Sequence, residues 1–400
     1  MTDVIVIGAG AAGLMCASVA GRQGRSVVLL EKGERIGNKI LISGGGRCNF
    51  TNRAAGPENY LSSNPDFCKS ALARYTPDDF IALVDSHGIA YYEKKLGQLF
   101  CDHSSRDIVA MLERECEASR VEIKTGVKIE AVRRAEADGS FVVETADASM
   151  EAKRLVVATG GLSLPKLGAT DFAYRVARQF GLNILPPRAG LVPFTFGGEA
   201  LAFCRALSGV SAACSVRLEE NGKKALRPPG FTEHFLFTHR GLSGPAMLQV
   251  SSYWQPPTGL CINLFPDGDA RAWLKENHAS GMRLNTVLSR RLPERLASAW
   301  CAASGPTRIM RAYSPSDLDE LARRLENWTL HPTGTEGYTT AEVTVGGIDT
   351  RDLHSKTMEA RAVPGLYFIG EALDVTGWLG GYNFQWAWAS GHACGLAVSS

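Results

Sequence analysis

Three glycine-rich stretches hold the residues of this chain best placed to do chemistry. The first is Gly8-Ala9-Gly10-Ala11-Ala12-Gly13, a GxGxxG run between an apolar stretch, residues 4–7, and a stretch at helical spacing, residues 14–22. In such a run the first glycine permits a tight turn, the second lets backbone approach a pyrophosphate, and the third lets helix and strand pack closely. The phosphates then sit at a helix N-terminus, where unpaired N–H groups and the dipole favour negative charge. Glu31 ends a second apolar run, residues 26–30, about twenty residues past the glycines, where a carboxylate hydrogen-bonds ribose hydroxyls. That carboxylate suits an unphosphorylated ribose, so FAD or NAD is expected rather than NADP. Gly8, Gly10, Ala12, Gly13, Glu31 and Lys32 form the first group of expected cofactor contacts.

The second stretch is Ser43-Gly44-Gly45-Gly46-Arg47-Cys48-Asn49-Phe50-Thr51-Asn52. Three consecutive glycines make a backbone that lies flat against a ligand and offers N–H donors. Lys39 and Arg47 add positive charge suited to phosphate or a reduced flavin, and they join Gly45 and Gly46 as expected contacts. The third stretch runs from Gly370-Glu371 and Asp374 to Gly380-Gly381-Tyr382-Asn383-Phe384, then into a helix through about residue 395. Its Gly-Glu turn can approach a ribityl phosphate. The helix start near Gly381 and Asn383 can stabilise negative charge on a reduced isoalloxazine. Ala158-Thr159-Gly160, after another apolar strand, completes the set. One long dinucleotide contacting both ends of the chain is FAD.

Catalytic candidates are few. Cys48 sits in the most functional-looking loop, where a thiol could protonate a substrate carbon or simply pack. His103 lies near a helix start, and His239 lies in Thr238-His239-Arg240-Gly241; both compete with plain surface or capping roles. There is no Ser-His-Asp order, HExxH or Walker sequence, so hydrolase, zinc-protease and P-loop readings fall away, and no metal is expected. A second GxGxxG is also missing, so no separate nicotinamide domain is expected.

The positioning elements follow from the punctuation. Strand, glycine turn, helix and strand over residues 4–30 make a βαβ unit, hence a parallel sheet with a right-handed crossover. Helices are expected over 77–86, with Thr76 as N-cap, and over 105–118. Residues 121–124, 127–132 and 140–145 read as a small antiparallel meander. From about residue 190 the texture shifts to β-strands at 192–196, 212–219, 235–238 and 260–265, separated by turns that include Pro228-Pro229 and Pro256-Pro257. Buried-strand patterning returns at 343–348 and 366–369. The expected organisation is α/β: an FAD-binding domain made of 1–190 and 339–400, with an inserted substrate domain over 191–338.

The composition excludes several classes. Of 400 residues, 45% are hydrophobic and 21% charged, so the chain is not disordered, and its 42 glycines are not periodic as in collagen. A net charge of +2 excludes nucleic-acid binding by bulk charge and leaves room for a local patch. Such a patch is conceivable between Arg283 and Arg311, where Arg290, Arg291, Arg295 and Arg308 surround Trp300; a solvated helix face is the plainer reading. No apolar run reaches the roughly 18 residues of a membrane span. The first residues carry no basic export signal, and the ten cysteines form no CxxC pair, so a cytoplasmic protein with reduced thiols is expected.

The motifs at 8–13, 43–52, 158–161 and 370–384, with Leu236-Phe237-Thr238-His239-Arg240-Gly241-Leu242-Ser243-Gly244-Pro245, resemble the BaiN-like, or aminoacetone-oxidase-like, family of FAD-binding flavoproteins. The resemblance covers essentially the whole chain. It implies a glutathione-reductase-like (Rossmann-type) flavin domain in two segments, with an inserted β-barrel and a small helical subdomain. Family activities include amine oxidation, reduction of unsaturated steroid intermediates, and reduction of uridine to dihydrouridine in ribosomal RNA. One departure is visible: Gly97-Gln98-Leu99-Phe100-Cys101 stands where many relatives have Gly-Arg-x-Phe-Pro. The expectation is an FAD-dependent oxidoreductase that moves a hydride between the flavin and an unsaturated or amine-bearing small molecule. The alternatives are an RNA-acting flavin reductase, or a flavin-bearing RNA-binding or redox module without rapid turnover.

Overall fold

The computed structural model describes residues 2–219 and 229–399. The chain divides into two compact units, Met1–Arg188 with Val343–Ser400, and Ala189–Glu342. Of the expected Pro228-Pro229 turn, Pro228 lies outside the described residues.

In the first unit, β1 (Thr2–Ile7) runs straight into the glycine turn, α1 (Ala11–Arg22) and β2 (Val27–Leu30). Val4, Val6, Leu14 and Leu29 are fully buried, so the βαβ unit is held by apolar packing on both faces of the sheet. Among the described residues the sheet has seven strands. Glu122–Lys124, β2, β1, Ser149–Val157 and Leu366–Phe368 are parallel neighbours in that order. Phe141–Thr145 and Ile129–Arg134 extend the Ser149–Val157 strand antiparallel.

This differs from the expected meander. Residues 122–124 are the parallel edge of the main sheet, and the third strand of the meander is the first half of Ser149–Val157. The second half of that strand pairs with Leu366–Phe368, which brings the two segments of the unit into one sheet. Val343–Ile348 stays out of the main sheet and pairs with Ile184–Gly190.

The Tyr382–Ala397 helix packs along α1. A Cβ on Gly391 would stand 2.5 Å from the Ala12 carbonyl oxygen, and one on Gly395 would stand 2.6 Å from the Val19 Cβ, so both glycines set the closeness of the helices. Its other side is buried too: Trp388 stacks on Phe80 at 4.3 Å and donates to the Phe50 carbonyl at 2.8 Å.

The second unit is built on an antiparallel sheet, in the order Trp328–Leu330, Leu260–Asn263, Ser211–Leu218, Phe231–Phe237, Gly241–Ser243, Phe194–Thr195, Gly334–Thr335. Helices Glu294–Ser304 and Pro315–Glu326 belong to it, the latter opened by a Ser314 capping box.

Candidate functional site

The GxGxxG turn is shaped by backbone contacts. A Cβ on Gly13 would lie 1.9 Å from the Gly8 carbonyl oxygen, and one on Gly8 would lie 2.6 Å from the Ala158 carbonyl oxygen. Both positions therefore admit only glycine for reasons internal to the fold. Gly10, the N-cap of α1, is different: its φ is −86°, and no protein atom lies within 4 Å of where its Cβ would stand. Nothing inside the protein requires a glycine at this position. A pyrophosphate lying against the helix N-terminus does. Close by in sequence to the Ala158 contact, the Thr159 hydroxyl is buried with no hydrogen-bond partner, an acceptor-seeking group that a ligand oxygen satisfies. The donor set and the bared backbone fit a dinucleotide.

Glu31 grips the turn from the end of β2. Its carboxylate accepts from the Ala9 N–H at 2.8 Å and from the Gly33 N–H at 2.8 Å. Lys32 beside it is exposed and makes no part of this brace.

The other motifs converge on the same unit. A Cβ on Gly370 would lie 2.9 Å from the Ala12 Cβ, so the Gly-Glu turn sits against the start of α1. The Glu371 carboxylate accepts from Lys39 Nζ at 2.5 Å, the Ser163 hydroxyl at 2.8 Å and the Thr344 N–H at 2.9 Å. Thr344 in turn accepts from the Leu162 N–H at 2.8 Å. Asp374 is 4% exposed and accepts from the Ser63 N–H at 2.8 Å, so it braces a neighbouring turn.

At the start of the Tyr382–Ala397 helix, the Asn383 amide bonds both the N–H and the carbonyl of Gly377, each at 2.9 Å. Tyr60 donates to the Tyr382 carbonyl at 2.9 Å, and Phe384 stacks on Trp388 at 5.6 Å. A Cβ on Gly381 would collide with Thr51 at 2.4 Å, which brings the Ser43–Asn52 stretch against this helix start. Thr51 donates to Gln385 at 2.7 Å, and the Asn52 amide donates to the Gly380 carbonyl at 2.9 Å. The roles of Asn52, Ser163, Thr344 and Gln385 were missed from sequence. A polar residue inside an otherwise apolar strand, as in Val343-Thr344-Val345, is the signal that could have found one of them.

The catalytic candidates separate. Cys48 has no accessible surface and a φ of 45°. Burial pushes its thiol well up from the ordinary range, with a hydrogen bond from Ser43 pulling the other way. The buried side chain packs the loop, in keeping with the packing reading of the two the sequence left open. His103 is exposed, between Cys101 and Ser105, whose N–H groups bond the Arg47 carbonyl at 2.9 Å and the Gly46 carbonyl at 2.8 Å. Gly45 and Gly46 meet nothing at their Cβ positions, and Arg47 points to the Tyr92 hydroxyl at 3.3 Å. His239 belongs to the second unit, in a hairpin turn closed by Thr238, and its carbonyl accepts from Arg205 at 3.2 Å. Trp300 is 2% exposed, so it does not lie on a basic face with the arginines. Of those, Arg283, Arg290, Arg295 and Arg308 bond groups of their own unit.

Among the described residues no cluster could hold a metal ion, and no helix is long and apolar enough to cross a membrane. The parallel sheet, the bared Gly10 and the converging motifs are those of an FAD-binding oxidoreductase with a Rossmann-like fold. The chain belongs to the family described as HI0933-like protein Rossmann domain, which matches residues 2–397. It is 52% identical to the "Ribosomal RNA dihydrouridine synthase" of Escherichia coli (strain K12), over 98% of this chain and 96% of that one. It is 48% identical to the protein of the same name from Haemophilus influenzae (strain ATCC 51907 / DSM 11121 / KW20 / Rd), over 100% of this chain and 98% of that one. A solved 3-ketosteroid-delta4-(5alpha)-dehydrogenase from Rhodococcus jostii RHA1 shares the fold, with a TM-score of 0.50 at 14% identity, covering 100% of this chain and 97% of that one.

Proposed function

We propose that this protein is an FAD-dependent reductase that adds two electrons and two protons across the C5–C6 double bond of a uracil base in ribosomal RNA. The observation that carries the reading is the 52% identity, sustained over nearly the full length of both chains, to a relative bearing that activity in its name. This moves the preferred substrate from a small molecule to RNA. Bound FAD supplies the hydride chemistry.

The chain's own residues bind and orient. The α1 N-terminus with bare Gly10 receives the pyrophosphate, and Gly8 and Gly13 hold that turn in shape. Glu31, already bonded to the Ala9 and Gly33 N–H groups, would keep a carboxylate edge for ribose hydroxyls. Lys39, Glu371, Ser163 and Thr159 would hold the ribityl and phosphate portion. The 382–397 helix start, fixed by Asn383 and Gly381, offers its positive end to negative charge on the ring system. Ala158 and Gly370, packed on Gly8 and Ala12, and Gly160 would supply backbone beside the pyrophosphate turn. Cys48 keeps the Gly45–Arg47 loop packed rather than moving a proton.

The test is direct. Holoprotein with chemically reduced flavin is incubated with deproteinised ribosomal RNA lacking the modification, and nucleosides are quantified by mass spectrometry. Dihydrouridine at a discrete position supports the reading. RNA left unchanged while an unsaturated steroid ketone or an amine turns over would overturn it in favour of the small-molecule activity.

A further inference from the structure

We propose that the tip of the hairpin formed by strands Tyr91–Glu93 and Gln98–Cys101 enters the RNA base stack, with Leu96 filling the gap left by the uridine drawn out for reduction. This rests on the RNA reading above. Among the described residues, Leu96 and Ile42 are the large apolar side chains left exposed, and Leu96 is the more exposed at 65%.

Its backbone is as unusual as its exposure. Leu96 and Gly97 occupy the centre of a two-residue turn, closed by the Gln98 N–H on the Lys95 carbonyl at 3.0 Å, with φ of 51° and 76°. Positive φ at both central positions is the hairpin turn that favours Asn-Gly. Leucine there is strained, and it also leaves an apolar side chain in water. Asparagine would relieve both penalties, so the turn keeps leucine at a cost to the free protein. Such an outlier points to function.

The tip is pinned to the cofactor end of the site. One side-chain amide, that of Asn52, donates to the Leu96 carbonyl at 3.0 Å and to the Gly380 carbonyl at 2.9 Å. Gln98, at the base of the turn, is buried, and its amide nitrogen lies 2.8 Å from where a Cβ on Gly380 would stand. The hairpin thus presents Leu96 from a fixed position just before the 382–397 helix.

The surrounding charge suits RNA. Lys94 and Lys95 are exposed on the tip, with Lys94 Nζ over the Phe100 ring at 5.3 Å. Arg53 pairs with the one acid of this hairpin strand, Glu93, at 3.1 Å. Cationic groups beside an apolar tip match phosphates flanking a base step. An enzyme acting on a stacked base must extract it, and apolar side chains inserted between base steps are a general means of holding a stack open.

The experiment compares wild-type holoprotein with Leu96→Asn, which suits the turn and so should fold at least as well, and with Lys94→Ala/Lys95→Ala. Each acts on deproteinised ribosomal RNA that is either intact and folded or cut into short single strands, and dihydrouridine is quantified. For Leu96→Asn the loss in rate on folded RNA should exceed the loss on fragments by about tenfold or more, the scale of one unstacked base step. The double lysine variant should bind folded RNA with a log–log salt slope lower by about 0.7–0.9 for each phosphate it no longer neutralises. A Leu96→Asn protein with the wild-type ratio between the two RNAs overturns the wedge and leaves the uridine reading standing. Wild-type protein that modifies neither RNA overturns both.

Discussion

Lys39 and Glu371 lie 332 positions apart in sequence, and Lys39 Nζ stands 2.5 Å from Glu371 Oε2. Ser163 bonds both, at 2.6 Å to the ammonium and 2.8 Å to the carboxylate. The short Asn38–Ile42 helix, the turn after Ser149–Val157 and the Gly-Glu turn are thereby joined through one carboxylate.

Glu371→Ala should therefore destabilise the fold by about 1–3 kcal/mol, because the Thr344 N–H and the Lys39 ammonium lose their acceptor together. Urea unfolding of the apoprotein gives the stability, and dialysis gives FAD retention, which should fall. Lys39→Met should cost less stability, since the lysine side chain is 38% exposed. Equal effects of the two variants would contradict the central role of the carboxylate.

Gly10→Val and Gly13→Val should part company. The first has room inside the protein and should leave secondary structure and melting temperature near wild type while abolishing FAD binding. The second drives a side chain into the Gly8 carbonyl and should fail to fold. Circular dichroism with the absorbance of the purified protein reads both. The flavin released from wild type by denaturation should be FAD, and recovery of FMN would contradict the dinucleotide cradle.

Glu31→Ala should weaken FAD by about 1–3 kcal/mol, on the scale of buried partners left unpaired. Calorimetric titration of apoprotein with FAD measures it. An unchanged dissociation constant would show that Glu31 braces the turn without serving the ribose.

His392 carries a pH dependence. It stacks on Tyr75 at 4.5 Å, and burial, with Arg22 and Arg74 nearby, lowers its pKa from the ordinary 6.5, opposed by Asp79. The folded protein thus holds this ring neutral where the unfolded chain takes up a proton. Stability is full above about pH 6.5 and declines as pH falls below it, levelling off under the folded pKa. His392→Phe should flatten the decline in melting temperature between neutral and mildly acidic pH. A decline of the same steepness would assign it to other groups.

The single GxGxxG predicts that NADH and NADPH reduce the flavin slowly and without saturation in the micromolar range. Anaerobic stopped-flow at the oxidised-flavin band checks this. Fast saturable reduction by either would reveal a nicotinamide pocket outside the motifs.

The βαβ opening was legible because its signals are local: an apolar run, fixed glycine spacing and an acid after the second strand. Residues 122–124 were misplaced because a three-residue strand has no period, and its pairing with β2 is a tertiary fact. Cys48 illustrates a second limit. The loop around it reads as functional, while the direction its thiol faces depends on a positive φ that composition does not reveal. The Thr51–Gln385 and Asn52–Gly380 bonds were invisible for a related reason, since each joins a quoted motif to a partner more than three hundred positions away. Leu96 escaped notice because a leucine between a lysine and a glycine looks ordinary until its exposure is known.

The pairing of Leu366–Phe368 with the Ser149–Val157 strand, and of the 382–397 helix with α1, bears on how the protein is made. A nascent chain leaving the ribosome has β1, α1 and β2 in hand early. Until residues 366–397 emerge, it lacks the parallel neighbour of residues 155–157 and the helix that covers one face of α1. Ala189–Glu342 is synthesised complete in the interval and can fold as a unit while the first segment waits. The expected FAD cradle is thus complete only once residues 370–384 have emerged, and chains stalled before residue 366 should expose the face of α1 that the 382–397 helix covers.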